Sequence, residues 1–206
     1  FRFVCRRNTM HRDLSIHTPH GLLQGQLDIP ENPRGLVLLA RAHHAPIDLF
    51  IASQLNDQGF AVLAMELLTS QEAQFVDATH NVPRLTQRLL ELLDMIRQDG
   101  DMENLPLGIY ATGDSTPAAI RAAAQRDTQI KALAYHGGLI DRAGLQALKL
   151  LTAPLLAIFN TDDELGRSTF KRALAHLACH QQTDILEPGG DPLPKAIQWF
   201  SHYLVA

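Results

Sequence analysis

The segment Gly113-Asp114-Ser115-Thr116-Pro117 carries the clearest chemical signal in the chain. It follows a strand-like run, Leu105-Pro106-Leu107-Gly108-Ile109-Tyr110, and leads into small residues over 116–125 that read as a helix. A serine at a sharp strand-to-helix turn can be lifted above a sheet edge, where its hydroxyl attacks a carbonyl carbon. The next backbone N–H, here that of Thr116, can then face the developing oxyanion. Such turns usually close on a second glycine. Here Pro117 takes that place, and proline is tolerated in a first helical turn. The competing reading is that Ser115 only caps the helix through its side chain.

The elements that would position this serine alternate along the chain. Leu14-Ser15-Ile16-His17 and 22–27 read as two short strands turning at His20-Gly21. Gly35-Leu36-Val37-Leu38-Leu39-Ala40 is a continuous apolar run, as in a strand buried on both faces. A helix over 47–58 and a strand over 60–65 follow. Val82, Leu85, Leu89, Leu92, Leu93 and Ile96 recur at three- and four-residue spacing, predicting a long amphipathic helix. Further strands are read at 130–135, 154–159 and 183–186, with helices near 143–148, 168–177 and 194–204. This order predicts an α/β fold: a mainly parallel sheet with helices on both faces and an antiparallel first edge.

Ligands of such sheets bind at the carboxyl ends of the strands. Those ends carry Arg41-Ala42-His43-His44, then Glu66, the Ser115 turn, His136-Gly137-Gly138, and Asn160-Thr161-Asp162-Asp163-Glu164.

The elbow region 108–119 resembles that of dienelactone-hydrolase-like α/β-hydrolases. So do 130–138, a strand ending in Gly137-Gly138, the strand and acidic turn over 154–163, and the final Ala196-Ile197-Gln198-Trp199-Phe200. The resemblance runs in order from about Leu14 to Val205. It implies a three-layer α/β-hydrolase fold with an eight-stranded sheet and no large cap domain. It also implies a nucleophile at Ser115 and an acid at Asp162, with Asp162 rather than Asp163 pointing inward; the alternative is that Asp162 is a solvated turn carboxylate. The family's histidine follows the last strand, but residues 187–194 hold none, and Asp191 or Pro192 stands in its place. His136, and after it His43, are candidate substitutes that would reach Ser115 from neighbouring strands. His136 is read alternatively as a polar residue closing a strand end. The loop after the first buried strand also departs from the family. A backbone N–H near Ala42 would there join Thr116 in holding an oxyanion.

Other readings are weaker. His176 and His180 are four apart, a metal-binding spacing, but no third ligand accompanies them, and they read as a surface pair. His202 reads as the polar face of the last helix. No metal or cofactor is expected. No G-x-G-x-x-G follows a strand, which argues against dinucleotide binding. Gly113-Asp114-Ser115 lies too far from the start for a flavodoxin-like lipase.

The chain has 206 residues, 46% hydrophobic and 19% charged, a composition that suits one globular domain. Residues 1–12 are expected to form a mobile leader and 13–206 the domain. A net charge of −4 offers no basic excess for nucleic acid. No apolar run is long enough for a membrane span. Cys5 and Cys179 are far apart and suggest a reducing, cytoplasmic compartment. The expected partner is a small-molecule substrate or ligand, and the oligomeric state is left open. Two functions follow. One is a serine hydrolase of carboxylic esters or lactones with an incomplete triad. The other is an inactive hydrolase homologue that binds a small molecule or a protein.

Overall fold

A computed structural model describes residues 8–43 and 46–205. Among these residues eight strands form one sheet: β1 (Met10–Thr18), β2 (Gly21–Ile29), β3 (Leu36–Arg41), β4 (Ala61–Glu66), β5 (Leu107–Thr112), β6 (Ile130–His136), β7 (Leu155–Asn160) and β8 (Gln181–Leu186). Their spatial order is β1-β2-β4-β3-β5-β6-β7-β8. The first two strands are antiparallel to their neighbours and the rest run parallel. The mostly parallel α/β architecture expected from the sequence is therefore present.

Among the described residues, six helices cover the sheet: α1 (Pro46–Asp57), α2 (Val82–Gln98), α3 (Thr116–Gln125), α4 (Leu145–Leu150), α5 (Glu164–Ala173) and α6 (Leu193–Tyr203). Leucines of α2 and the alanines of α3 pack on one face of the sheet, together with Leu148 of α4 and Phe170 of α5. Ile51 and Leu55 of α1 pack on the other face with Trp199 and Phe200 of α6. The small side chains of α3 let that helix lie close to β5. On the opposite face Gly108 serves the same end, because a methyl group there would fall 2.7 Å from the Phe200 ring.

Several boundaries differ from the sequence reading. β1 begins at Met10, opposite Ile29, so residues 10–12 belong to the sheet rather than to a leader. Arg12 is further anchored to Asp99 at 2.5 Å. Helix α5 starts at Glu164 because Asp163 caps it, accepting from Gly166 N at 2.9 Å. The helix read near 143–148 is split by Gly144, whose φ is +88°, into a short 3-10 turn and α4. No helix among the described residues is long and apolar enough to cross a membrane.

Candidate active site at the carboxyl edge

Strand order reverses at β3, which lies between β4 and β5, and such a switch point opens a crevice at the carboxyl edge. Ser115 lies beside it. Strand β5 ends at Thr112, paired with His136 of β6. Residues 113–115 form a single 3-10 turn that runs directly into α3.

Ser115 itself does not stand clear of that turn. Its backbone is helical, with φ −80° and ψ −13°, and the residue is only 1% exposed. The hydroxyl oxygen lies 2.5 Å from the carbonyl oxygen of Ala40 and 2.8 Å from that of Thr112. It also accepts from Thr112 N at 3.3 Å, as the third residue of a capping box. The hydroxyl therefore clasps the end of β5 and β3, and it does not cap α3, since no N–H of that helix donates to it.

Thr116 is fully buried and its hydroxyl donates to Gly137 O at 3.0 Å. Ala42 follows β3, half-buried, and its carbonyl accepts from Leu68 N at 3.2 Å. His43 is exposed, while His44 lies outside the described residues. His136 ends β6 with its Nε2 3.2 Å from Asn160 Oδ1. That ring is thus engaged by β7, on the side away from β5.

The two acidic residues after β7 are placed in the opposite sense to the expectation. Asp162 is exposed. Asp163 turns inward, with one carboxylate oxygen on Gly166 N and the other 3.7 Å from where a Cβ of Gly137 would lie. The inward register is therefore one residue later than expected, because the cap of α5 holds that side chain against the end of β6.

Gly137 and Gly138 join this acid to the elbow. A methyl group on Gly138 would fall 2.2 Å from Gly113 O and 2.9 Å from Thr116 Oγ1. Both glycines have positive φ, +68° and +101°. Only glycine lets β6 turn this close to the elbow backbone. Tyr135, buried just before this turn, has its phenol pushed well above the ordinary range by burial, with the Asp163 charge adding to it.

No family model matches the chain. A dienelactone hydrolase from Anabaena variabilis is 27% identical and superposes with a TM-score of 0.86, covering 95% of this chain and 99% of that one. The chain has the fold of the dienelactone-hydrolase-like α/β-hydrolases.

Esterases more distant in sequence share this fold. A cold-adapted esterase from an Arctic intertidal metagenomic library is 16% identical, with a TM-score of 0.71 and coverage of 95% and 94%. A thermostable carboxyl esterase from Bacillus coagulans is 12% identical, with a TM-score of 0.75 and coverage of 95% and 99%. Two curated relatives from Mycobacterium tuberculosis, provisionally named phosphoribosyl transferases, are 30% identical over 155 residues. The match takes in 73% of this chain, which spans only about a third of those relatives, 35% of their length.

Three features of this hydrolase fold escaped the sequence reading. Gly113 has φ +55° at the turn, Asp163 rather than Asp162 faces inward, and Asn160 holds His136. Adjacent aspartates carry no signal of which one caps. An Asp followed three residues later by a small residue and a helical run was the available hint for Asp163.

Among the described residues, His176 lies in a separate short turn over 174–176, and His180 stacks on Trp199 with ring centres 5.9 Å apart. Neither is part of the elbow.

Proposed function

We propose that this domain is a non-hydrolytic α/β-hydrolase homologue that binds a small molecule or a protein partner at its carboxyl edge without turnover. The single observation that carries this reading is the state of Ser115, buried in helical backbone with its hydroxyl tied to Ala40 and Thr112. An attacking serine must hand its proton to a base within about 3.2 Å. Here the nearest partners of the oxygen are carbonyls, which accept a hydrogen bond and cannot take the proton. The loop over 187–194 contributes carboxylates and no imidazole. A triad without its base loses several powers of ten in rate.

Apolar side chains at the same edge support a binding role. Leu49 of α1 is 67% exposed, and Val76, in the connection after β4, is 89% exposed. A bound ligand or partner would cover such groups.

The competing reading, hydrolysis of carboxylic esters or lactones, is favoured by the esterases that share the fold. A fluorophosphonate probe and p-nitrophenyl acetate separate the two. The expected result is no labelling of Ser115 and no hydrolysis above buffer. Stoichiometric labelling, abolished by Ser115→Ala, would restore the hydrolase reading.

A further inference from the structure

A nucleophile elbow works by forcing one residue out of the ordinary backbone regions, so that its side chain stands clear of strand and helix. Between Thr112 and Pro117 that residue is Gly113, at φ +55°. Thr112 is extended at −138°, whereas Ser115 and Thr116 are helical at −80° and −56°. The space around them differs in the same way. A Cβ on Gly113 meets no atom within 4 Å, while the Ser115 side chain is enclosed by two strands. The Gly113 carbonyl packs against Gly138, and the adjoining Gly137 packs against the carboxylate of Asp163. The inward-facing acid is thus one glycine pair away from position 113.

We propose that position 113, two residues before the only serine of the turn, is the point from which this fold presents a nucleophile, and that glycine there is what leaves the domain silent. This deepens the non-hydrolytic reading and rests on it. The reading explains why an intact fold lacks turnover: the apex carries no side chain, and the nearby hydroxyl serves as a backbone clasp.

A thiol introduced at the apex tests the assignment. Gly113→Cys and Ser115→Cys are made in the full chain and treated with iodoacetamide, natively and in denaturant. In the reaction the thiol loses its proton to buffer, a sulfur–carbon bond forms, the carbon–iodine bond breaks and iodide leaves with the electron pair. Peptide mass spectrometry separates these sites from Cys5 and Cys179. The Gly113→Cys thiol is expected to react natively at least ~10-fold faster than the Ser115→Cys thiol, which must wait for local opening. Equal rates, or a faster reaction at position 115, would overturn the proposal.

Should Gly113→Cys not fold, the wild-type chain decides. A soluble paramagnetic probe is expected to relax the Gly113 Hα protons more strongly than the Ser115 Hβ protons, and the reverse order overturns the assignment. Fluorophosphonate labelling of wild-type Ser115 would instead sink the non-hydrolytic reading, so the two failures are distinguishable.

Discussion

The Ser115 hydroxyl oxygen lies 2.5 Å from the carbonyl oxygen of Ala40, a residue of the neighbouring strand. Ala40 is paired with Ala111 in the β3–β5 ladder, so this bond continues the ladder beyond the last paired residues of β5. It ties β3 to the start of α3 at the crevice where a hydrolase of this fold would do its chemistry.

Removing that hydroxyl should therefore cost stability and not activity. Ser115→Ala is expected to lose about 1–3 kcal/mol, the range for leaving buried hydrogen-bonding groups unsatisfied. Urea denaturation measures the loss. Turnover of p-nitrophenyl acetate is expected to stay at the wild-type background, and a fall in rate would contradict the clasp role.

Gly138→Ala should be far more damaging. Its methyl group would meet Gly113 O at 2.2 Å, at a residue whose φ is +101°. Overpacking and backbone strain of this kind each cost about 1–3 kcal/mol. Gly100→Ala is the control, since no atom lies within 4 Å of its would-be methyl group. Thermal melts of the two variants should differ widely, and equal melting temperatures would mean that the Gly137-Gly138 turn is loose.

The adjacent aspartates should behave differently. Asp163→Ala removes the cap of α5 and is expected to cost about 0.5–2 kcal/mol. Asp162→Ala, at an exposed position, should stay within about 0.5 kcal/mol of wild type. A larger loss at Asp162 would show that the inward register is the one first read from the sequence.

Glu72 should make the domain acid-sensitive. Burial by itself would raise its carboxyl pKa, but the Thr69 backbone N–H and the charges of Arg88 and Arg84 outweigh it, and the result is a lowered value. Arg88 Nη2 lies 2.9 Å from Glu72 Oε1, and Thr69 N lies 3.0 Å from Oε2. A depressed carboxyl contributes stability that is fully present above its unfolded value, near 4.5, and is lost as pH falls through the folded value. Glu72→Gln should thus lower the melting temperature at neutral pH and flatten its decline below that range. A parallel decline in both proteins would remove Glu72 as a source of acid sensitivity.

Much of this molecule is legible in its amino-acid sequence. Continuous apolar runs such as 36–40 and the leucine spacing of 85–96 identified buried strands and an amphipathic helix, because burial imposes its own periodicity on residue type. That residues 187–194 hold no histidine is likewise a matter of residue type alone.

Direction was a different matter. Gly113 and Ser115 are two residues apart, and which one marks the apex depends on where β5 stops. That end is set by the pairing of Thr112 with His136 on another strand. Asp162 and Asp163 are chemically identical neighbours, separated only by which carboxylate meets Gly166 N. His136 reads from the sequence as a base reaching Ser115 or as a polar residue closing a strand end, and the structure sets its ring against Asn160 of β7. Residue type and spacing decided which elements form and which residue types stand at the sheet edge, because both follow from local burial and composition. The tertiary structure alone decided where each side chain at the sheet edge points, because that is set by backbone angles at the turns, and long-range hydrogen bonds hold those angles.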